Sequence, residues 1–258
     1  MYWFSYGFSA SISAMKGYGQ FCPVAKAAEI LTERWTLLVL RELLLGSRRF
    51  NDLRKGVPLM SPTLLSKRLK FLEEAGVIAR CRTQSGKGWE YQPTNSGQEL
   101  RPVVETLGVW GQRWVRSQLT TDELDPGLLM WDIRRRVDPN QFPSRRIVVQ
   151  FEFSDVAQSK RRWWLVGDKG GVDLCVTDPG FEADLYVFTD VRTMTAVWMG
   201  DMTLKYAIES GRIDLEGVPE LRRSLRSWLQ LSTLAAVESQ NAERKVSLDV
   251  KTRRQLKL

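Results

Sequence analysis

The sequence predicts two units of different class: a mostly helical first part carrying one β-hairpin, and a second part of α+β type built on a single sheet. Three observations carry this. Apolar residues recur at helical spacing from about position 24 to 75, and several stretches from Ile147 onward largely alternate apolar with polar residues. Charge is uneven: the chain has a formal net charge of +8, yet the window 48–87 alone holds ten Lys/Arg against three Asp/Glu. By contrast, 144–240 counts twelve basic against fourteen acidic residues. Finally, 258 residues suit two cores better than one.

The opening MYWFSYGFSASISA is aromatic but has no positive leading region, which makes it a poor signal peptide. Residues 1–20 are expected to be an extension, with Met15 a more ordinary start. Helical periodicity then marks about Val24 to Leu31 and Trp35 to Leu45, the second closed by Gly46. Asn51 can cap a short helix that ends at Gly56, and Val57-Pro58-Leu59-Met60 forms a turn. Ser61 is a good N-cap, Pro62 suits the first helical position and Gly76 the position just past a helix end. Within that helix Leu65, Leu69 and Leu72 fall on one side, and Thr63, Ser66, Lys67, Lys70 and Glu74 on the other. Val77 to Arg82 and Trp89 to Gln92 read as strands flanking the tip QSGKG. Two helices joined by a tight turn and followed by a hairpin make a winged helix-turn-helix.

Two readings of the polar helix face compete. It is either a solvated surface or a surface shaped for a polyanion, and the surplus charge of the surrounding window favours the second. On that reading Ser61, Thr63, Ser66, Lys67 and Lys70 form the helix face turned toward the polyanion. Arg54, Lys55, Arg82 and Lys87 would contact phosphates, which positions a protein without reading sequence. Arg68 differs, since it falls within the apolar arc of Leu64, Phe71, Leu72 and Ala75, and is expected to pair with a carboxylate.

Several chemistries lose their usual residues. With no histidine the chain cannot build a Ser-His or Cys-His nucleophile or a histidine-bearing zinc site, and it has no CxxC, GxxxxGK[ST] or GxGxxG. An enzyme is therefore not expected, nor a metal or other cofactor. No run approaches the roughly 18 apolar residues of a membrane span. Cys22, Cys81 and Cys175 are odd in number and far apart, which fits a reducing cytosol.

From Leu100 the residues Leu100, Val103, Val104, Leu107, Trp110 and Trp114 keep one apolar stripe, either packed within the chain or forming a homodimer seam. The stretch 119–143, with three prolines and mixed charge, reads as a linker with at most one short helix. Beyond it, alternation marks strands at Ile147 to Phe153, Val172 to Val176, Ala183 to Phe188 and Arg212 to Glu216. Helices are expected around Val191 to Met199, Thr203 to Ser210 and Pro219 to Ala236, with 144–240 as the second domain and 241–258 as a solvated basic tail. Trp163, Trp164, Met194, Trp198, Met199 and Met202 could line an apolar effector pocket, or be ordinary core.

The ordered series CPVAKAAEIL, RWTLLVLRELLLGSRRFNDLRKGVPLMSPTLLSKRLKFLEEAGVI and WEYQPTNSGQEL resembles the HxlR-type winged-helix transcription regulators, relatives of the MarR-like group, over about Phe21 to Trp114. One departure is Thr32-Glu33 before Arg34-Trp35, where that family usually has a glycine-containing turn. The resemblance implies that the helix from Pro62 to Ala75 enters the major groove of double-stranded DNA, that the hairpin touches the flanking backbone, and that the protein is a cytoplasmic, nucleoid-associated homodimer through Leu100 to Trp114. It also implies a redox alternative, because some members sense oxidants through a cysteine at the place of Cys22, here just before Pro23 at a helix start. The segment DLYVFTDVRTMTAVWMGDMTLKYAIESGRIDLEG looks like the end of a sterol carrier protein type 2-like domain, whose members hold apolar ligands between sheet and helices. The functional expectation is a DNA-binding regulator whose operator affinity responds to an apolar effector held by Trp163, Met194, Trp198 and Met202. A lipid-binding carrier with a vestigial DNA-binding module is the competing reading.

Overall fold

A computed structural model describes residues 17–83, 86–116 and 120–240, and it divides into two compact units, Met1–Thr106 and Leu107–Leu258. The expected basic tail at 241–258 and most of the expected extension, 1–16, lie outside the described residues; 17–20 are exposed coil. Among the described residues no helix is long and apolar enough to cross a membrane.

The first unit runs α1 (Pro23–Leu31), α2 (Thr36–Leu44), α3 (Phe50–Gly56), α4 (Pro62–Glu74), β1 (Ile78–Arg82), β2 (Trp89–Pro93) and α5 (Asn95–Glu99), and α6 (Arg101–Trp110) carries the chain onward. Its core joins Val39, Leu40 and Leu43 of α2 to Leu53 of α3, Leu65, Leu69 and Leu72 of α4, and Ile78 of β1. Strands β1 and β2 pair antiparallel, with Arg82 opposite Trp89. Helix α2 starts one residue later than its periodicity predicts because Trp35 takes a left-handed conformation, φ 78°. A side chain there costs about 1–2 kcal/mol, and this is the turn in which a glycine was lacking.

Helices α2 and α3 meet over a buried charge. Glu42 has no solvent exposure, and it accepts hydrogen bonds from Arg41 Nη2 at 2.9 Å and Ser47 Oγ at 3.2 Å. Arg41 Nη2 also donates to the carbonyl of Gly56 at 3.1 Å, which ties the end of α3 to the pair. A Cβ placed on Gly56 would lie 1.9 Å from Glu42 Cδ, so only glycine lets the helix end approach this closely.

The second unit is one five-stranded sheet, order β5-β4-β3-β6-β7, formed by β3 (Ile147–Phe153), β4 (Arg162–Asp168), β5 (Gly171–Cys175), β6 (Leu185–Thr189) and β7 (Asp214–Gly217). Strands β3 and β6 are parallel and the other pairs antiparallel. Alternation divides the faces: Ile147, Val149, Phe151, Phe153, Leu185 and Val187 join the core, while Gln150, Glu152, Tyr186 and Phe188 lie on the opposite face. Helices α7 (Pro126–Arg136), α8 (Val191–Trp198), α9 (Leu204–Glu209) and α10 (Pro219–Trp228) contribute buried side chains to that same core.

Three expectations need correction. Asn51 does not cap α3 but lies inside it, because the helix already starts at Phe50 with Arg49 as its N-cap residue. The stretch 119–143 carries one α-helix, α7, as expected, but it is not a connector, because Leu129, Met130 and Ile133 are buried in the second core. Asp125 caps α7, accepting from Leu128 N at 2.9 Å, and Pro126 fills its first position. The two compact units meet inside α6, at Thr106 and Leu107. Helix α10 stops at Trp228 instead of running to 236, because Leu229 bridges Val137 and the Trp228 carbonyl accepts from Asp138 N at 2.9 Å. Strand β4 had no counterpart in the expected set. It is buried on both sides by Trp164 and Leu165, so a period of two is hard to see in RWWLVGD.

Candidate nucleic-acid interface

Helix α4 is positioned from both ends. Ser61 Oγ accepts from Leu64 N at 3.2 Å, Pro62 opens the first turn, and Gly76, at φ 70°, lets the chain leave in the left-handed conformation. Burying Leu65, Leu69 and Leu72 turns Thr63, Ser66, Lys67 and Lys70 outward, and all four are exposed, as is Ser61. Lys70 is partly neutralised by Glu74 at 3.6 Å, whereas Lys67 has no acidic partner among the described residues. Arg68 lies between the faces. Its Nη2 donates to Glu33 Oε2 at 3.0 Å and its guanidinium covers the Phe71 ring, which gives it the carboxylate pairing its place in the apolar arc predicts.

The flanking cations differ in what holds them. Arg54 and Lys55 are exposed in the last turn of α3, and Lys55 pairs with Asp52 at 3.1 Å. Lys87 is exposed at the hairpin tip, where Gln84 and Ser85 lie outside the described residues. Arg82 is exposed on β1, and both it and Arg80 lie 4.2 Å from the Trp89 ring centroid. Arg80 and Trp89 are additions to the sequence-derived set. The signal was present, since Arg80 and Arg82 are two apart on one strand and so share a face with the residue opposite Arg82.

Beyond α4 the apolar stripe is largely open to solvent: Val103, Leu107, Trp110 and Trp114 are exposed, Trp110 to 56%, while Leu100 and Val104 are half-buried. Its helix changes pitch after Trp110, where Gly111–Val115 form a π-helical turn closed by Arg116 N donating to Gly111 O at 2.8 Å.

The four residues expected to hold an apolar effector are core or core-flanking side chains. Met194 and Trp198 keep 1% and 6% of their exposure, and Trp163 and Met202 pack against the same cluster. Trp163 Nε1 donates to the Lys160 carbonyl at 2.7 Å and Trp164 Nε1 to Gln150 Oε1 at 3.0 Å, so both indoles are fixed in place. Cys22 is the half-buried N-cap residue of α1 and makes no side-chain capping bond. Burial, and to a lesser extent the neighbouring Asp173 carboxylate, raise the Cys175 thiol above its usual pKa.

A helix, a tight turn and a capped second helix with an exposed polar-basic face, followed by a basic hairpin, define a winged helix-turn-helix module. The HxlR-like helix-turn-helix family matches residues 30–119. YvaP of Bacillus subtilis (strain 168), an HTH-type transcriptional regulator, is 36% identical over 98 residues, which cover 37% of this chain and 91% of YvaP. The chain belongs to the HxlR-like helix-turn-helix family. The HTH-type transcriptional regulator Rv3095 of Mycobacterium tuberculosis (strain H37Rv) is 39% identical over 93 residues, 36% of this chain and 58% of that protein. The reduced form of the transcriptional regulator YodB from B. subtilis is 27% identical, with a TM-score of 0.33 over 36% of this chain and 93% of YodB.

Proposed function

We propose that this chain is a DNA-binding transcription regulator in which α4 enters the major groove. One observation carries this: Ser61, Thr63, Ser66, Lys67 and Lys70 are exposed on the side of α4 opposite its buried leucines, in a family built on that helix. Arg54, Lys55, Arg82 and Lys87 contact phosphates, and Arg80, stacked on Trp89, joins them from the wing. Such contacts set affinity and register, while the α4 side chains discriminate bases. The protein acts as a homodimer whose seam is the apolar stripe from Leu100 to Trp114, supported by the exposure of Trp110 and its neighbours. Its second unit is a sterol carrier protein type 2-like module that senses an effector, supported by a single sheet with helices burying one of its faces. Its place of action is the nucleoid, in the cytoplasm.

Footprinting the purified protein on the intergenic DNA beside its own gene tests the reading. A protected near-palindrome with half-sites about 34–36 Å apart is expected. Uniform, sequence-independent protection that disappears with modest added salt is the result that refutes it.

A further inference from the structure

The second unit has an open pocket of about 420 Å³ at the end of the sheet where the parallel strands β3 and β6 run out. That volume falls in the range of about 300–1,000 Å³ used by small-molecule sites. Its wall is charged rather than apolar, and its charges are unequally committed. Glu152 already accepts from Arg162 Nε at 3.0 Å, Asp190 accepts from Thr193 N and Oγ1 at 2.7 Å each, and Asp214 accepts from Leu215 N at 2.8 Å. The two lining arginines are different. Arg161 Nε is buried with no hydrogen-bond partner, and neither the Arg161 nor the Arg212 guanidinium has a hydrogen-bond or ion-pair partner among the described residues. Arg161 is half-buried and Arg212 exposed, but a buried N–H such as Arg161 Nε is costly to leave without an acceptor. Beside them Phe188 supplies a flat wall, held by stacking on Tyr186 with ring centroids 6.1 Å apart and planes 5° from parallel.

Two unpartnered arginines next to an anchored aromatic ring select an anion with a planar body. We propose that this cavity binds a small aromatic carboxylate, its carboxylate bridging Arg161 and Arg212 and its ring lying against Phe188. A planar carboxylate suits the guanidinium fork, which donates two parallel N–H bonds. The inference rests on the regulator reading only for its consequence on DNA: as effector, the anion would bias operator affinity through the second unit.

Benzoate is the probe, titrated into the full chain by calorimetry and tryptophan fluorescence, with acetate, benzyl alcohol and benzylamine as arms lacking the ring or the negative charge. Benzoate should saturate, and each of the other three should bind at least about tenfold more weakly. Arg212→Gln, at an exposed position, and Arg161→Gln should each weaken benzoate about 10- to 100-fold. Melting curves establish that both variants are folded, and Arg212→Gln keeps the test sound if Arg161→Gln is not. The proposal is overturned if benzoate does not saturate, if it binds no better than benzyl alcohol, or if folded Arg212→Gln binds it as the parent does. Benzoate binding that leaves operator affinity unchanged upholds the cavity and counts against the effector role alone, so the two failures are distinguishable.

Discussion

Gly56→Ala should destabilise the first unit through a clash with a buried carboxylate. The added methyl would sit 1.9 Å from Glu42 Cδ and 2.0 Å from Oε2, well inside contact distance, so the Glu42 side chain must leave its position. Moving it separates Glu42 from Arg41 and Ser47, and breaking a buried ion pair on one side costs about 3–5 kcal/mol. Alanine recovers about 0.5–1 kcal/mol of helix propensity. The net loss is therefore about 2–4 kcal/mol, a large part of the roughly 5–15 kcal/mol that holds a domain folded. With about 4–8 °C per kcal/mol for a unit of this size, the first melting transition should fall by about 10–25 °C. Differential scanning calorimetry measures it. Glu42→Ala in the Gly56→Ala background removes the obstruction, so the double variant should be more stable than the sum of the single losses by about 1 kcal/mol or more. A Gly56→Ala protein that melts at or above the parent temperature, or strictly additive losses, refutes the reasoning.

Lys67→Ala and Ser66→Ala should each cost roughly 1–3 kcal/mol on operator DNA and little on random DNA, whereas Lys87→Ala should weaken both alike and lower the salt slope by about one; titrations at several salt concentrations separate the two patterns. Trp110→Ala with Trp114→Ala should yield monomers by sedimentation, and a parent protein that is itself monomeric at micromolar concentration rejects the seam. Arg68→Ala should lose roughly 1–2 kcal/mol of stability, since its partner Glu33 is substantially solvated, and leave base preference unchanged in a competition assay. Because its pKa is raised, Cys175 should carry less thiolate near pH 8 and alkylate more slowly than the exposed Cys81, which peptide mapping after iodoacetamide treatment can resolve.

The parts readable from sequence are those whose causes lie within a few residues. The bounds of α4 follow from Ser61, Pro62 and Gly76, and its two faces follow from the helical period, so the candidate DNA-reading residues were legible without the fold. Asp125-Pro126 was an equally local signal for α7, but nothing near it showed that Leu129, Met130 and Ile133 pack into the second core. Arg68 was recognisable as a misfit in an apolar arc, yet its partner Glu33 is 35 positions away and only the folded chain brings them together.

What tertiary structure alone decided is wherever a residue's role depends on such distant neighbours. Methionine and tryptophan at helical spacing could be pocket or core, and the meeting of α8 with the sheet made Met194 and Trp198 core. The cavity arose elsewhere, among Arg161, Phe188 and Arg212, which no short window of sequence contains. In the same way nothing local marks Gly56 as indispensable; Glu42, buried 14 positions earlier, makes it so. Caps and periodicity are energies of neighbouring residues and can be read along the chain, whereas burial is an energy of the space the chain encloses and exists only once it has folded.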